Sequence, residues 1–309
     1  MRVVSLLPSA TEMLCALGGE DLLVGRSHEC DWPPRITDRP VLTGQRTKSI
    51  HEGGDSAFID AEVRAALATG ASLYTLDEAL LRSLRPDVIL TQKLCDVCSI
   101  DLPTVERVAA TIGAEGGAAP RVVVLDPHSI EEVFDDLLTV GDAVGRASEA
   151  SETMVALRDR YWSAVDFVNP FIEGPEIAFL EWIEPLFVGG HWTPQLITAA
   201  GGRHSLNPAG AKSRQIIPEE LVESQPDRVI VCPCGLDLAS VKREFTRLTG
   251  STWWGALPAV ADGNVVLVDG NQMFNRPGPR LVDAFCWLVG WINNRPEVVP
   301  SDFPWMRGR

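Results

Sequence analysis

A chain of 309 residues, 45% hydrophobic and 22% charged, is long enough for two globular lobes and too apolar for a disordered or fibrous protein. Its formal net charge of -15 works against nucleic acid and anionic membrane surfaces as partners. No apolar run approaches the roughly 20 residues needed to span a bilayer, so membrane insertion is not expected.

The chain starts MRVVSLLPSATEMLCALGG, where Pro8 and Glu12 interrupt any signal-type apolar stretch, and it reads as mature structure from the first residue. The expected compartment is the cytoplasm, which an odd total of seven cysteines also fits. Short β-branched runs at 2-7, 21-25, 87-91, 121-125, 176-181, 228-232 and 264-268 read as strands. Amphipathic helices fall between them at 10-17, 59-68, 76-84 and 102-112. That alternation is the signature of α/β layers with largely parallel sheets.

An internal repeat organises these elements. TEMLCALGG at 11-19 matches PQLITAAGG at 194-202, each ending in a Gly-Gly helix stop. ALLRSLRPDVILTQKLCDVC at 79-98 matches EELVESQPDRVIVCPCG at 219-235, and VVVLDPH at 122-128 matches VVLVDGN at 265-271. Two similar lobes follow, an N-terminal one over 1-128 and a C-terminal one over 169-309. The segment 129-168 between them lacks Pro and β signals, and its apolar residues recur at helical spacing behind a Ser129/Glu132 capping box. It reads as one connecting helix of roughly 35 residues, about 50 Å long, with Gly145 as its point of weakness. The expected fold is therefore two α/β lobes, each a parallel sheet flanked by helices, joined by one long α-helix around a ligand cleft.

In open parallel sheets ligands collect beyond the carboxyl ends of the strands. On the repeat, Gln92, Cys95 and Cys98 then lie opposite Cys232 and Cys234, Ser9 and Thr11 opposite His191 and Trp192, and His128 opposite Asn271. His28, Cys30 and Trp32 of SHECDWP join the same rim. Thiolates and imidazoles are the ligands of zinc and iron-sulfur clusters, so His28, Cys30, Cys95, Cys98, Cys232 and Cys234 form a candidate metal set, with thiol redox chemistry or simple packing as the other readings. Cys15 and Cys286, on apolar helical faces, read as small buried hydrophobes. Among nine tryptophans, Trp32, Trp182 and Trp192 stand at loop positions suited to a flat ligand, Trp253 and Trp254 are divided between ligand and core, and Trp287 and Trp291 read as core. The Pro194 helix start behind His191 and Trp192 offers free N-H groups to an oxygen ligand. No phosphate loop, dinucleotide fingerprint or nucleophile elbow occurs. The sequence does not decide whether the protein is an enzyme; a catalytic version would use Glu29, Glu181 or His191 as acid or base.

VVSLLPSATEMLCALG, LVGRSHECDWP, LRPDVILTQ, GGHWTPQLITAAGG and DGNQMFNRPGPRLVD, in that order, resemble the helical-backbone periplasmic-binding-protein superfamily, and within it the vitamin B12 (cobalamin)-binding group. The resemblance covers essentially the whole chain. It implies a cobalamin-like corrinoid or related tetrapyrrole as ligand and ABC transporter components as partners. The group's ligand-facing loops fall here at Pro8, Ser9, Thr11, Trp32, Gln92, Trp182, Gly190, His191, Trp192 and Asn271.

Overall fold

The computed structural model describes residues 1–46, 54–69, 72–93, 100–115 and 118–308. The chain divides into two compact units. The first comprises Met1–Glu52, Ala61–Pro127 and Glu131–Ala156; the second comprises Gly53–Asp60, His128–Ile130 and Leu157–Arg309.

In chain order the first half carries β1 (Val3–Ser5), α1 (Pro8–Ala16), β2 (Leu23–Arg26), β3 (Thr43–Gln45), α2 (Ser56–Ala68), β4 (Tyr74–Leu76), α3 (Glu78–Leu84), β5 (Val88–Gln92), α4 (Leu102–Ala114) and β6 (Arg121–Leu125). Strands β2, β1, β5 and β6 lie side by side in that order, all parallel, while β3 and β4 pair separately as an antiparallel ribbon. Every residue of β5 is buried, as expected of a central parallel strand covered on both faces. Val4, Leu6 and Ile89 pack there with Leu81 of α3 and Val105, Val108 and Ile112 of α4.

The connector is two helices, α5 (Ile130–Ala143) and α6 (Ala147–Val165), and not one. Gly145 sits between them at φ 70, in the left-handed region that only glycine enters cheaply, so the break falls at the point of weakness in the sequence.

The second half carries β7 (Ile177–Trp182), β8 (Phe187–Val188), α7 (Thr193–Ala199), β9 (Arg214–Gln215), α8 (Pro218–Glu223), β10 (Arg228–Val231), α9 (Leu238–Thr249), α10 (Pro258–Ala261), β11 (Val265–Val268), α11 (Leu281–Ile292) and β12 (Trp305–Arg307). Their sheet runs β12-β11-β10-β7-β8-β9. The central strands β7, β10 and β11 are parallel and correspond to β1, β5 and β6, as the repeat requires. The copies differ at both flanks: β2 joins its sheet in parallel, whereas β8 folds back antiparallel on β7, and β12 adds an antiparallel strand beside β11 where the first sheet ends at β6. Trp287 is fully buried, stacked between Trp291 and Phe303, which confirms α11 as a core helix.

One helix residue is poorly accommodated. Oδ2 of Asp136 on α5 is buried without a hydrogen-bond partner, and desolvation, reinforced by Glu132, Asp135 and Asp126, pushes its carboxyl up to about 7. Folding thus raises this pKa, so the stability it contributes is complete below the unfolded value near 4 and is lost as the pH rises through about 7. Asp136→Asn is expected to raise the thermal midpoint at about pH 8.5 by the equivalent of about 1 to 2 kcal/mol and to leave it unchanged near pH 4. Paired melts at the two pH values check this.

Candidate functional site

In the first unit the strand ends are organised by a buried cation. Arg26, the last residue of β2, donates to the carbonyls of Ser27 at 3.1 Å, Cys30 at 3.0 Å and Thr37 at 2.7 Å, which folds the 27–37 loop back onto the sheet. The hydroxyl of Thr43 on β3 meets Nδ1 of His28 at 2.7 Å and accepts from the His28 N-H at 3.1 Å. Tyr74 of β4 lies against the His28 ring and donates its hydroxyl to Glu29 at 3.2 Å. Held in this way, the loop presents Trp32, which is 41% exposed.

The predicted contacts on α1 divide. Pro8 opens the helix and is half-buried, whereas Ser9 and Thr11 are buried inside the fold. The Thr11 hydroxyl lies 3.2 Å from the Leu7 carbonyl and 3.1 Å from the Cys30 sulfur. Thr11 therefore ties α1 to the loop from inside the fold, and Ser9 is buried beside it in the same helix. Gln92, at the end of β5, is 7% exposed and forms part of the wall of a 1060 Å³ cavity.

In the second unit the site grows around Glu181 near the end of β7. Its carboxylate accepts from the Ser213 hydroxyl at 2.7 Å and the Gly190 N-H at 3.3 Å, while burial pushes its pKa up. A Cβ on Gly190 would stand 2.2 Å from the Ser213 nitrogen, so only glycine allows this approach. His191 follows at φ 54, donates its N-H to Ala211 at 2.6 Å, and brings Nδ1 within 3.2 Å of Nδ1 of His128. The repeat set His128 opposite Asn271; the structure places it beside His191. The helix beyond, α7, has only seven residues, and its Gln195 accepts from the Ile130 N-H at 3.0 Å.

Trp192 differs from its expected role. It is 5% exposed, and its indole N-H donates to the Phe274 carbonyl at 2.8 Å, so it fastens α7 to the 273–275 turn from inside. Trp182 is half-buried, with its indole N-H shared between the carbonyls of Ser56 at 3.2 Å and Glu184 at 3.1 Å. Asn271 is half-buried at the end of β11, where its N-H donates to Asp269. Trp254 is core, packed edge-on against Phe245. A second cavity of 670 Å³ lies at the opposite, amino-terminal ends of β7 and β10, beside Glu176 and Asp227. Ligand sites of parallel sheets favour the carboxyl ends, where His191 and Asn271 stand.

Cys95 and Cys98 lie outside the described residues. Among the described residues, no three His, Cys, Asp or Glu side chains converge as a metal site. In the first unit Cys30 is fully buried against Thr11, while His28 turns to Thr43 and Tyr74. In the second, Cys232 is fully buried, lies 3.7 Å from the Asp269 carbonyl, and has its thiol pushed well up by desolvation. A fully buried thiol of that kind packs as a small hydrophobe. Cys234 is half-buried, Cys286 is buried, and burial drives the buried Cys15 up to about 12.

Trp192→Ala is expected to destabilise the protein by about 3 to 5 kcal/mol, and Trp192→Phe by about 1 kcal/mol for the lost N-H bond. Urea titrations measure both. Unchanged stability in the alanine variant would return this ring to the ligand surface.

Comparison with known proteins gives a consistent answer. A cobalamin-binding protein of Halobacterium salinarum is 24% identical over 95% of this chain and 69% of its own length. A vitamin B12-binding protein of Photorhabdus laumondii is 22% identical over 95% of this chain and 88% of its own. Among solved structures, the periplasmic vitamin B12-binding protein of Vibrio cholerae superposes with a TM-score of 0.65 at 17% identity, covering 96% of this chain and 98% of that one. A periplasmic heme-binding protein from Pseudomonas aeruginosa gives 0.70 at 20% identity, covering 95% and 92%. Both share the two-lobed α/β fold. The model of the periplasmic binding protein family matches residues 3–271, and the chain belongs to that family.

Proposed function

We propose that the protein binds a corrinoid of the cobalamin type, or a related tetrapyrrole. The observation that carries this reading is the similarity over 95% of the chain to proteins known as cobalamin- or vitamin B12-binding. The residues at the strand ends support it. A corrinoid is a broad, largely apolar disc edged with amides. Trp32 and Trp182 supply flat apolar surface, and Gln92, His191 and Asn271 supply hydrogen-bonding groups that suit an amide edge. Gln92 stands at the end of a strand, and His191 and Asn271 stand on loops fixed by backbone bonds, so little is lost in ordering them when a ligand arrives. The heme-binding relatives in the fold keep the haem-type ring as the other member of the ligand class.

The test is a titration of ligand-free protein with cobalamin, followed by the visible spectrum and tryptophan fluorescence. The expected result is saturable, one-to-one quenching. Trp32→Ala should weaken it roughly 10-fold, about 1.4 kcal/mol, with no loss of thermal stability. A protein that binds neither cobalamin, cobinamide nor haem contradicts the reading.

A further inference from the structure

The 1060 Å³ cavity of the first unit has a chemistry that the apolar disc does not use. Gln92 is 7% exposed, lines the cavity, and makes no side-chain hydrogen bond among the described residues. Beside it stand two cations, Arg46 directly after β3 and Lys93 directly after β5. Arg46 spends only its Nε, on the Tyr74 carbonyl at 3.4 Å, and no carboxylate among the described residues pairs with either cation. The other charges on the wall are mostly engaged. Glu78 is bound to Arg107 at 2.6 Å, and Asp101 accepts the Thr104 N-H at 2.9 Å, capping α4. Glu106 is the one remaining acid on the wall.

Two cations without an ion-pair partner among the described residues thus meet at one cavity in a chain of net charge -15. Such a chain repels anions at long range, so an anion bound here must be recognised by local charge. A nearby buried carboxamide adds hydrogen bonds that fix the orientation of an oxyanion.

We propose that Arg46 and Lys93, with Gln92, form an anion-recognition subsite in the first unit that takes an oxyanion carried by the ligand. This rests on the tetrapyrrole reading above and extends it to specificity. The shared chemistry is a mono-anionic oxygen group: the phosphodiester of a cobalamin nucleotide tail, or a propionate of a haem-type ring. Cobinamide, which lacks the nucleotide tail, carries neither.

The experiment titrates the full chain and the Arg46→Gln/Lys93→Gln double variant with cobalamin, dicyanocobinamide and haem, at low and high salt. Both side chains lie at the surface, and a melt of the variant confirms folding. The expected result is a loss of roughly 10-fold in affinity for the ligand with the anionic group, together with its salt dependence, and no change for cobinamide. A loss with cobalamin assigns the phosphodiester, and one with haem the propionate. Equal affinity of wild type and variant for every ligand overturns the subsite and leaves the tetrapyrrole reading intact. So does an equal loss that includes cobinamide. Failure of wild type to bind any of the three overturns the reading, and the subsite with it.

Discussion

One aspartate in each unit sets the register of the central strands. Asp87 accepts the Arg2 N-H at 2.6 Å and returns its own N-H to the Arg2 carbonyl at 2.8 Å. Asp227 does the same with Glu176, at 2.7 and 2.9 Å. Each follows a proline, and each proline follows a residue in the left-handed region, Arg85 at φ 43 and Gln225 at φ 45. This clamp aligns β5 with β1 and β10 with β7. A one-residue slip in a buried strand would turn its side chains to the opposite face, so the position of every loop at the far end depends on this register.

At those far ends the loops are fixed mainly by backbone groups. Arg26 satisfies three carbonyls of the first unit's loop, and Glu181, Gly190 and Ser213 lock the equivalent region of the second. A buried guanidinium with carbonyl partners, and a buried carboxyl with N-H and O-H partners, are costly to remove because each loss strands a polar group. These buried polar contacts hold in place the segments that carry Trp32 and His191.

Much of the fold was legible in the sequence because central strands of parallel sheets are continuous apolar runs. VVS, VILTQ, IAFLEW and VVLV mark β1, β5, β7 and β11 without ambiguity. The ribbon β3–β4 and the strands β8, β9 and β12 are two or three residues long, and their pairing is decided by tertiary contact, so no periodicity announces them. Location proved easier to read than orientation. Trp32, Gln92 and His191 stand at or just beyond strand ends, as their place in the sequence suggests, but Thr11 and Trp192 turn inward because neighbours such as Cys30 and Phe274 supply their partners. The matching cysteine pairs looked like ligands, yet Cys232 shows that the end of a buried strand is a good place for a small apolar thiol. Arg46 and Lys93 carried no motif; the available signal was a lysine directly after a central strand in an acidic chain.

The central claim is that the ligand is held at the carboxyl ends of the strands. Amide hydrogen exchange with and without cobalamin tests it most directly, because slowed exchange marks the backbone that the ligand orders. The account predicts protection concentrated at residues 27–32, 91–93, 187–192 and 269–276. Protection confined to 174–178, 202–205 and 224–227, at the amino ends of β7 and β10, would contradict it.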